Sequence, residues 1–419
     1  MRCLFVVREF PRPVVSMAGV IRGSEALSGS HTTGLLVAEG LARRGHDVGL
    51  WVVHGQRVID CSFQLVTTAA LDAQWRGADR VIWLSYGDAS ILDHLSSCEL
   101  QPIIWTHLPV TRSERGWLES GRIAGVITVS DTCRMPLLRS GLHCKVGRIY
   151  NPLPPVFSES TGGRVDRYGR RIVVYAGAAG PTKGLHRLLE MWRIVHRLEP
   201  GARLVLAGTG KLYGTDRRLG GFGLANPEFE AKYVKPLADE FGSLAQAGID
   251  AVGLLNPAAL RDLYESASVG VVNMNWVDFT ETFCCAATEM MATGLPVFGV
   301  NRGALPETIG RSGGAVLTKR ADLRKSATEF LALLRDPARL DALGRSGREF
   351  VRAEYDWGQV IEEWERAMME KTTLESVSGR WRGQLSVQYF VEFAIGRIGA
   401  PWLIEVPLAA IRMVRRVLN

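Results

Sequence analysis

Two glutamates separated by seven residues, Glu281 and Glu289, are the strongest sign of chemistry in this sequence. Glu281 follows the strand-like segment 269–274, and Glu289 lies on the short helix that comes next. Open α/β sheets bind ligands at the carboxyl ends of their strands, which is where Glu281 would lie. A carboxylate accepts two hydroxyl protons at once, so each glutamate could hold one sugar of a nucleotide sugar. The alternative is an ordinary capped helix with two solvated glutamates.

The start of that helix would present backbone amides to a ligand. We expect Thr280 or Thr282 to cap the helix. The amides of Phe283, Cys284 and Cys285 would then point out of the N-terminus toward a phosphate or a sugar hydroxyl. The two adjacent cysteines are either a reactive pair, with a thiol pKa lowered by the helix end, or small residues that let the backbone approach the ligand.

The segment 281–297 resembles the hallmark of the family-four retaining glycosyltransferases, which have the two-domain GT-B fold. That hallmark is Glu, seven residues, Glu, and a small-Gly-x-Pro-Val turn into a strand, and the segment matches it at each of these positions. Four further segments are similar to strand, loop and helix units of the family: 34–52, 173–192, 203–210 and 253–272. The resemblance covers residues 1–370. It implies transfer of a hexosyl unit from a nucleotide sugar to a glycan or lipid-linked acceptor, with retention at the anomeric carbon.

The resemblance also implies which residues form the site. It assigns catalysis to Lys183, Glu281 and His107. It assigns binding of the nucleotide-sugar donor to Gly29, Ser30, Gly177, Gly208, Leu255, Phe283, Cys284, Cys285 and Glu289. In such a reaction the leaving phosphate helps to deprotonate the acceptor from the same face, so no separate protein base is required.

Lys183 is the best candidate for a positive group beside the departing diphosphate. It ends a glycine-bearing loop that opens a helix, so its full charge would add to the partial charge of the helix N-terminus. The alternative is a solvated lysine at a helix start. Members of the family usually carry an arginine directly after the first glycine of this loop, whereas this chain has Ala178 after Gly177. Arg302 or a residue of the first domain would have to replace that arginine.

The first half of the chain supplies the other side of the predicted site. Gly29, Ser30 and His31 are expected on the loop after the first strand, where the family has a glycine pair, and Ser30 replaces one of those glycines. His31 could equally be a helix-start residue. His107 ends a buried strand at its carboxyl edge and corresponds to a family histidine that faces the transferred sugar. It is either a ligand of the sugar or a packed structural histidine.

Two further features have open roles. Arg112 and Arg115 follow His107 on a loop and face either an acidic acceptor or only solvent. The insertion 211–240 is longer than the family's turn and helix require, and it is either an acceptor-side loop or a decoration of the second domain.

The order of predicted elements alternates between strand and helix, which is typical of parallel sheets covered by helices. Strands are predicted at 3–7, 47–53, 80–85, 102–107, 125–130 and 145–150. We therefore predict an α/β fold with two Rossmann-like domains that face each other across a cleft. The first domain comprises residues 1–150, a Pro- and Gly-rich linker 151–167, the second domain 168–355, and a crossing helix 356–379.

Composition agrees with an enzyme of two domains. A chain of 419 residues exceeds what one core usually supports, and 47% hydrophobic residues suffice for two sheets. The apolar run 3–7 stops at Arg8 and does not resemble a signal peptide, and the seven cysteines show no disulfide-like spacing. We therefore expect a cytoplasmic protein.

The last residues, 380–419, are predicted to form a helical tail rich in arginine. Within it, 408–419 places an apolar stripe beside three arginines, as an interfacial helix does. A pI of about 9.1 and a net charge of +7 fit an anionic membrane surface, and no nucleic-acid-binding module is recognisable. The tail could equally pack back on the first domain.

We expect the protein to need neither a metal ion nor a cofactor. A lysine and a helix dipole would supply the positive charge that a metal would otherwise provide. A dehydrogenase is disfavoured because the sequence lacks GxGxxG followed by an acidic residue at the end of the second strand. A nucleotide-sugar epimerase of the same fold and a non-catalytic scaffold for polysaccharide assembly remain alternatives.

Overall fold

The computed structural model of the chain describes residues 1–138, 145–163, 166–212, 218–276 and 281–369. The described strands are β1 (Arg2–Val7), β2 (Val14–Ser16), β3 (Asp47–Val52), β4 (Arg57–Ile59), β5 (Gln64–Val66), β6 (Arg80–Leu84), β7 (Ile103–Thr106), β8 (Gly125–Thr128), β9 (Val146–Arg148), β10 (Ile172–Ala176), β11 (Arg203–Ala207), β12 (Ile249–Gly253), β13 (Val269–Val271), β14 (Val297–Val300) and β15 (Ala315–Thr318).

The described helices are α1 (Met17–Arg22), α2 (Gly29–Arg43), α3 (Thr68–Ala70), α4 (Ala89–Ser97), α5 (Arg112–Glu119), α6 (Asp131–Leu138), α7 (Pro155–Ser158), α8 (Leu185–Leu198), α9 (Pro227–Phe229), α10 (Lys235–Phe241), α11 (Pro257–Ser266), α12 (Cys285–Ala292), α13 (Leu305–Thr308), α14 (Leu323–Leu334), α15 (Pro337–Glu354) and α16 (Trp357–Met369). Three short helical turns join them: Leu71–Trp75, Arg167–Arg170 and Glu230–Val234.

The first domain is built on a sheet of seven strands in the order β5-β3-β1-β6-β7-β8-β9, with every neighbouring pair parallel. Its central strands are almost wholly apolar, as a parallel sheet covered on both faces requires. The order reverses between β1 and β6. The carboxyl ends of these two strands therefore flank a crevice, which is where doubly wound sheets bind ligands.

The second domain repeats this plan with six parallel strands in the order β12-β11-β10-β13-β14-β15. Here the order reverses between β10 and β13. Gly177 follows β10, and Asn273 follows β13 after one residue, so both lie at the crevice of the second sheet. The residues of the predicted site gather at this point.

The chain passes between the domains twice. After the linker, Arg167 donates from its guanidinium to the carbonyls of Thr293 and Gly294 at the end of α12. At the other end, α16 returns to the first domain, where the rings of Trp364 and Trp105 lie 4.5 Å apart. The first contact fixes the end of the linker to the second domain, and the second fixes α16 to the first domain.

The prediction of two Rossmann-like domains that face each other is confirmed. Parallel strands alternate with helices in both halves, and Thr282 Oγ1 of the second donates to the carbonyl of His107, just beyond β7, at 2.7 Å. The predicted strands of the first domain all occur, each with bounds within three residues of those observed. The predicted tail 380–419 lies outside the described residues.

None of the described helices combines the length and the apolar character that a bilayer crossing requires.

Candidate active site

Glu281 lies in the loop between β13 and α12, and its carboxylate is held from several sides. Its side chain is 5% exposed, and Lys183 Nζ lies 3.0 and 2.9 Å from its two oxygens. Asn273 Nδ2 donates to Glu281 Oε1 at 3.2 Å and to the carbonyl of Thr182 at the same distance. The backbone is fixed as well, because the amide of Ala304 donates to the carbonyl of Glu281 at 2.9 Å. The carboxylate is thus positioned before any ligand arrives.

Lys183 reaches this carboxylate because the glycine after it permits a close approach of two backbones. Gly184 adopts φ +71°, and a Cβ added there would lie 2.4 Å from the amide nitrogen of Met274. Tyr175 shapes the start of the same loop by donating its hydroxyl to the carbonyl of Ala178 at 2.9 Å. Only 30% of the Lys183 side chain is exposed. The alternative of a freely solvated lysine at a helix start is therefore wrong.

The two glycines assigned to donor binding lie against each other at the carboxyl ends of β10 and β11. A Cβ on Gly208 would come within 2.0 Å of the carbonyl oxygen of Gly177, and Gly208 adopts φ +136°. Only glycine fits there, because a side chain would meet backbone. Leu255 lies two residues after β12, partly buried. The three residues thus follow neighbouring strands, and their contact with a donor remains a prediction.

The helix of the hallmark segment starts later than expected and without a side-chain cap. It begins at Cys285, and Cys284 adopts the left-handed conformation with φ +74° in the capping position. The prediction that Thr282 caps it is wrong, because Thr282 instead contacts the first domain through His107. Thr280 lies outside the described residues. Phe283 precedes the helix with its ring buried.

The adjacent cysteines are half-buried. Burial raises the pKa of the Cys285 thiol to about 12 and also raises the pKa of Cys284. The interpretation as a reactive pair with a lowered thiol pKa is therefore wrong. A Cβ added to Gly29 would lie 3.1 Å from Cys285 Sγ, so the first domain approaches closely at this point.

Glu289 differs from Glu281 in having no partner. Within the described part of the chain, its carboxylate makes no hydrogen bond and no ion pair. Burial raises its pKa to about 7. It lies one turn beyond Cys285, on the same face of α12. A carboxylate so placed is able to accept hydrogen bonds from a ligand.

His107 is uncharged and offers a free nitrogen. Burial, with a contribution from nearby His31, lowers its pKa to about 3. Its Nε2 is buried and has no partner among the described residues, while its ring lies 5.0 Å from that of Trp105. His107 is therefore able to hold a hydroxyl group but not to transfer a proton as an imidazolium at neutral pH.

Gly29, Ser30 and His31 lie in the first turn of α2. The loop position predicted for Gly29 and Ser30 is therefore wrong, whereas His31 follows the alternative of a helix-start residue. The difference arises because Ser28 caps the helix at this point, accepting from the amide of His31. The Ser30 hydroxyl is within 2.9 Å of the Tyr86 hydroxyl, so its side chain is directed to the loop after β6.

The arginines proposed for other contacts have different surroundings. Arg112 and Arg115 lie in α5, not on a loop as predicted. Arg115 forms an exposed ion pair with Glu119 at 2.8 Å. This pairing favours the interpretation of a solvated surface for Arg115. Arg302 follows β14 and is 6% exposed, and its replacement of the missing arginine at Ala178 remains a prediction.

The insertion 211–240, of which 213–217 lie outside the described residues, folds around one buried carboxylate. Glu230 accepts from the amides of Phe222, Leu224 and Ala225 at 2.8, 2.7 and 2.9 Å. The amide of Gly210, beyond β11, donates to the carbonyl of Leu224 at 2.8 Å. The insertion thus packs beside the loops of the second domain.

One residue of the site and one of the domain interface were not identified from the sequence. Asn273 orients Glu281, and no signal in the sequence indicates this because Asn273 falls inside the strand-like segment 269–274. Glu307 of the second domain accepts from the amides of Asp131 and Thr132 in the first domain at 2.6 and 2.9 Å. The Tyr150 hydroxyl donates to the same carboxylate at 3.0 Å. No local pattern marks Glu307, because its partners are distant in sequence.

Among the described residues, no group of three or more His, Cys, Asp or Glu side chains is arranged to hold a metal ion.

Comparison with known proteins agrees with this geometry. Residues 165–350 match the family model described as glycosyl transferases group 1. The chain is 25% identical to spore coat protein SA of Bacillus subtilis over 259 residues, which cover 57% of this chain and 63% of that protein. It is 30% identical over 178 residues to a GDP-mannose-dependent monoacylated alpha-(1-6)-phosphatidylinositol monomannoside mannosyltransferase of Corynebacterium glutamicum, covering 42% of this chain and 41% of the relative. The chain thus spans less than two thirds of the length of either relative.

Solved structures are similar over the whole fold. Anabaena Alr3699/HepE, solved in complex with UDP-glucose, superposes with a TM-score of 0.62 at 14% identity, over 88% of this chain and 99% of that one. Sucrose-phosphate synthase from Thermosynechococcus elongatus gives a TM-score of 0.61 at 17% identity, over 87% of this chain and 98% of that one. At such identities these structures show the fold alone. Residues 165–350 are thus similar to the glycosyl transferases of group 1, and the chain as a whole has a GT-B fold.

Proposed function

We propose that this protein is a glycosyltransferase that moves a hexosyl unit from a nucleotide sugar to a glycan or lipid-linked acceptor with retention at the anomeric carbon. The observation that carries the proposal is the preformed cluster of Lys183, Glu281 and Asn273 in the second domain, joined to His107 of the first domain through Thr282. A charged cluster at the crevice of one sheet, in contact with the strand ends of another, suits a donor bound between two domains.

Each residue of the site is proposed to contact a different group of the donor. Lys183 and the N-terminus of α12 would stabilise the negative charge that grows on the leaving diphosphate. Glu289 would accept the hydroxyls of the ribose, and neutral His107 would hold a hydroxyl of the transferred sugar. In this arrangement the departing phosphate deprotonates the acceptor, so His107 is not needed as a base.

Relatives indicate which substrates to test first. One is named as a GDP-mannose-dependent mannosyltransferase of phosphatidylinositol monomannoside, and another as a lipopolysaccharide 1,2-N-acetylglucosaminetransferase. A structural neighbour was solved with UDP-glucose. Surface polysaccharide or glycolipid synthesis is therefore our proposal for this chain, and the donor base is left to experiment.

The test is release of nucleotide from a panel of GDP-mannose, UDP-glucose and UDP-N-acetylglucosamine, with phosphatidylinositol monomannoside or lipopolysaccharide core as acceptor. We expect one donor to be consumed only when an acceptor is present, and NMR of the product to show the anomeric configuration of the donor. Conversion of the donor to an epimer without acceptor would support the epimerase instead. Donor binding without turnover would support a non-catalytic scaffold, an alternative that the absence of an arginine at Ala178 keeps open.

We further propose that the tail brings the protein to the cytoplasmic membrane. The proposal rests on the sequence of 408–419, which lies outside the described residues. An anionic leaflet attracts each nearby basic residue by about 1 kcal/mol. The full chain should sediment with vesicles that contain anionic lipid and be released in part by salt, whereas a chain ending at residue 379 should remain in the supernatant with its nucleotide affinity intact. Unfolding on truncation would show that the tail is a packed element.

A further inference from the structure

Asn151 begins the linker, and its side chain is buried where three elements meet. The residue is 2% exposed. Its Nδ2 lies 3.5 Å from Cys285 Sγ, in the first residue of α12. A Cβ added to Gly29, the first residue of α2, would lie 3.1 Å from the same sulfur. The linker, α2 and α12 therefore converge on one point at the edge of the cleft.

The Asn151 amide has hydrogen-bonding capacity that the protein does not use. Its Oδ1 is buried and has no partner within the described part of the chain. Buried polar atoms in folded proteins are nearly always paired, and leaving one unpaired costs about 1–3 kcal/mol. Such an atom is retained when a ligand pairs with it or when it serves another purpose.

The neighbouring thiol determines which atom of the amide is free. Burial keeps the Cys285 thiol protonated, because its pKa rises to about 12. A protonated thiol donates, so it can pair with the amide oxygen after a half-turn of the Asn151 side chain, an exchange of oxygen and nitrogen that costs no space. In that orientation both hydrogens of Nδ2 are available to an acceptor on a ligand.

The surroundings favour an anionic acceptor. The first amides of α12 and the backbone of Gly29 lie beside Cys285, and a helix N-terminus attracts negative charge. Glu289, one turn further along α12, suits hydroxyl groups and would repel a phosphate. We infer that Asn151 donates a hydrogen bond to a diphosphate oxygen of the bound nucleotide sugar, an assignment that rests on the proposed function and extends the donor site into the interdomain linker.

The linker position gives this contact a second effect. Tyr150 donates to Glu307 of the second domain, and the amide of Leu153 donates to the carbonyl of Tyr355 at 2.7 Å. Asn151 thus lies between two residues that tie the linker to the second domain. A diphosphate bound by Asn151 would add a third tie, so donor binding should stabilise the linker in this arrangement.

The experiment compares binding of a nucleoside, its monophosphate and its diphosphate to the full chain by calorimetry, using uridine, UMP and UDP, and guanosine, GMP and GDP. Asn151→Asp keeps the shape and still accepts from the thiol, but it places a negative charge beside the diphosphate. We expect it to weaken diphosphate binding at least about tenfold and to leave nucleoside binding unchanged, because only the phosphates are repelled. Asn151→Leu should weaken diphosphate binding about five- to tenfold through loss of one hydrogen bond.

Gln359→Glu is the matched control. It adds the same charge at an exposed position in the first turn of α16, which is not among the residues assigned to the site, and should leave every affinity unchanged. If Asn151→Leu does not fold, the test depends on Asn151→Asp alone. The inference then requires that this variant loses affinity for the diphosphate but not for the nucleoside.

The outcomes separate the inference from the proposed function. If the wild-type chain binds no nucleoside diphosphate, the proposed function and the inference both fail. If it binds UDP or GDP and Asn151→Asp binds them equally well, the inference is overturned while the proposed function stands. Equal losses for uridine and UDP, or for guanosine and GDP, would also overturn the diphosphate assignment.

Discussion

Glu281 and Glu289 lie eight positions apart in one segment, yet their surroundings are opposite. Glu281 is held by Lys183 and Asn273, so its charge is balanced and its orientation fixed. Glu289 has no partner in the described chain, and burial raises its pKa to about 7. One glutamate is thus oriented by protein groups, whereas the other has no hydrogen-bond partner among the described residues. We infer that Glu281 serves the reaction, whereas Glu289 is completed by the substrate.

The largest effect should come from Glu281→Gln, which removes the prepared charge while keeping the shape. We expect kcat to fall by about 10²-fold or more, as for other preorganised electrostatic groups, with little change in nucleotide affinity. Steady-state kinetics and calorimetry measure the two quantities. Glu190→Gln, at an ion pair with Arg187 on the surface of α8, is the control and should change neither. A large loss of nucleotide affinity without loss of kcat would reverse the roles of the two glutamates.

Glu289→Ala should act mainly on binding. Loss of a charged hydrogen-bond partner of the ribose should cost on the order of 1.5–3 kcal/mol of nucleotide affinity. Titration of UDP and GDP by calorimetry gives this value, and the 2′-deoxy nucleotides should lose less than the ribonucleotides. Equal and small effects of the Glu281 and Glu289 substitutions would show that the segment is only structural here.

The third prediction concerns the free energy of unfolding. We expect the ionisation of Glu289 to lower it as pH rises, whereas Glu281 should have no such effect. Below pH 4.5 the Glu289 carboxyl is protonated in the folded and the unfolded chain and contributes nothing. As pH rises from 4.5 to about 7, only the unfolded chain ionises, so stability is lost, and the loss is complete above pH 7.

Glu289→Gln should therefore raise the melting temperature at pH 8 and leave it unchanged near pH 4. Partial exposure reduces the expected gain to on the order of 1 kcal/mol, or a few degrees. Thermal unfolding followed by circular dichroism at both pH values measures it. A gain of equal size at pH 4 and pH 8 would mean that ionisation is not its cause.

The smallest expected effect is that of a chelator. If Lys183 and the start of α12 provide the positive charge for the diphosphate, EDTA should leave most of the activity in place. Activity is measured after dialysis, with and without added Mg²⁺ or Mn²⁺. Complete loss on dialysis, restored by either ion, would show that Lys183 does not suffice.

The sequence predicted the fold well because its signals are local. Buried strands such as 80–85 and 102–107 are continuous apolar runs bounded by turns, and their order dictates parallel pairing. The pairing of Lys183 with Glu281 joins residues 98 positions apart. No periodicity reports such a contact, and only the resemblance to a family placed both residues in one site.

The errors in the site come from backbone conformation and long-range contacts. A non-glycine residue in the left-handed region, as at Cys284, is uncommon, so a side-chain cap at Thr282 was the natural expectation. The role of Asn273 was hidden because the sequence counts it as part of a strand that ends two residues earlier. The thiol pKa of Cys285 depended on burial by another domain, which the helix alone does not reveal.

The carboxylate of Glu307 has a consequence for recombination between relatives. It completes the first turn of α6 in the other domain by accepting from Asp131, Thr132 and Tyr150. A chimera that joins the first domain of this chain to the second domain of a homologue would inherit that helix start without its acceptor unless the homologue carries a glutamate at the same place. The two halves of this molecule are therefore exchangeable only as matched pairs.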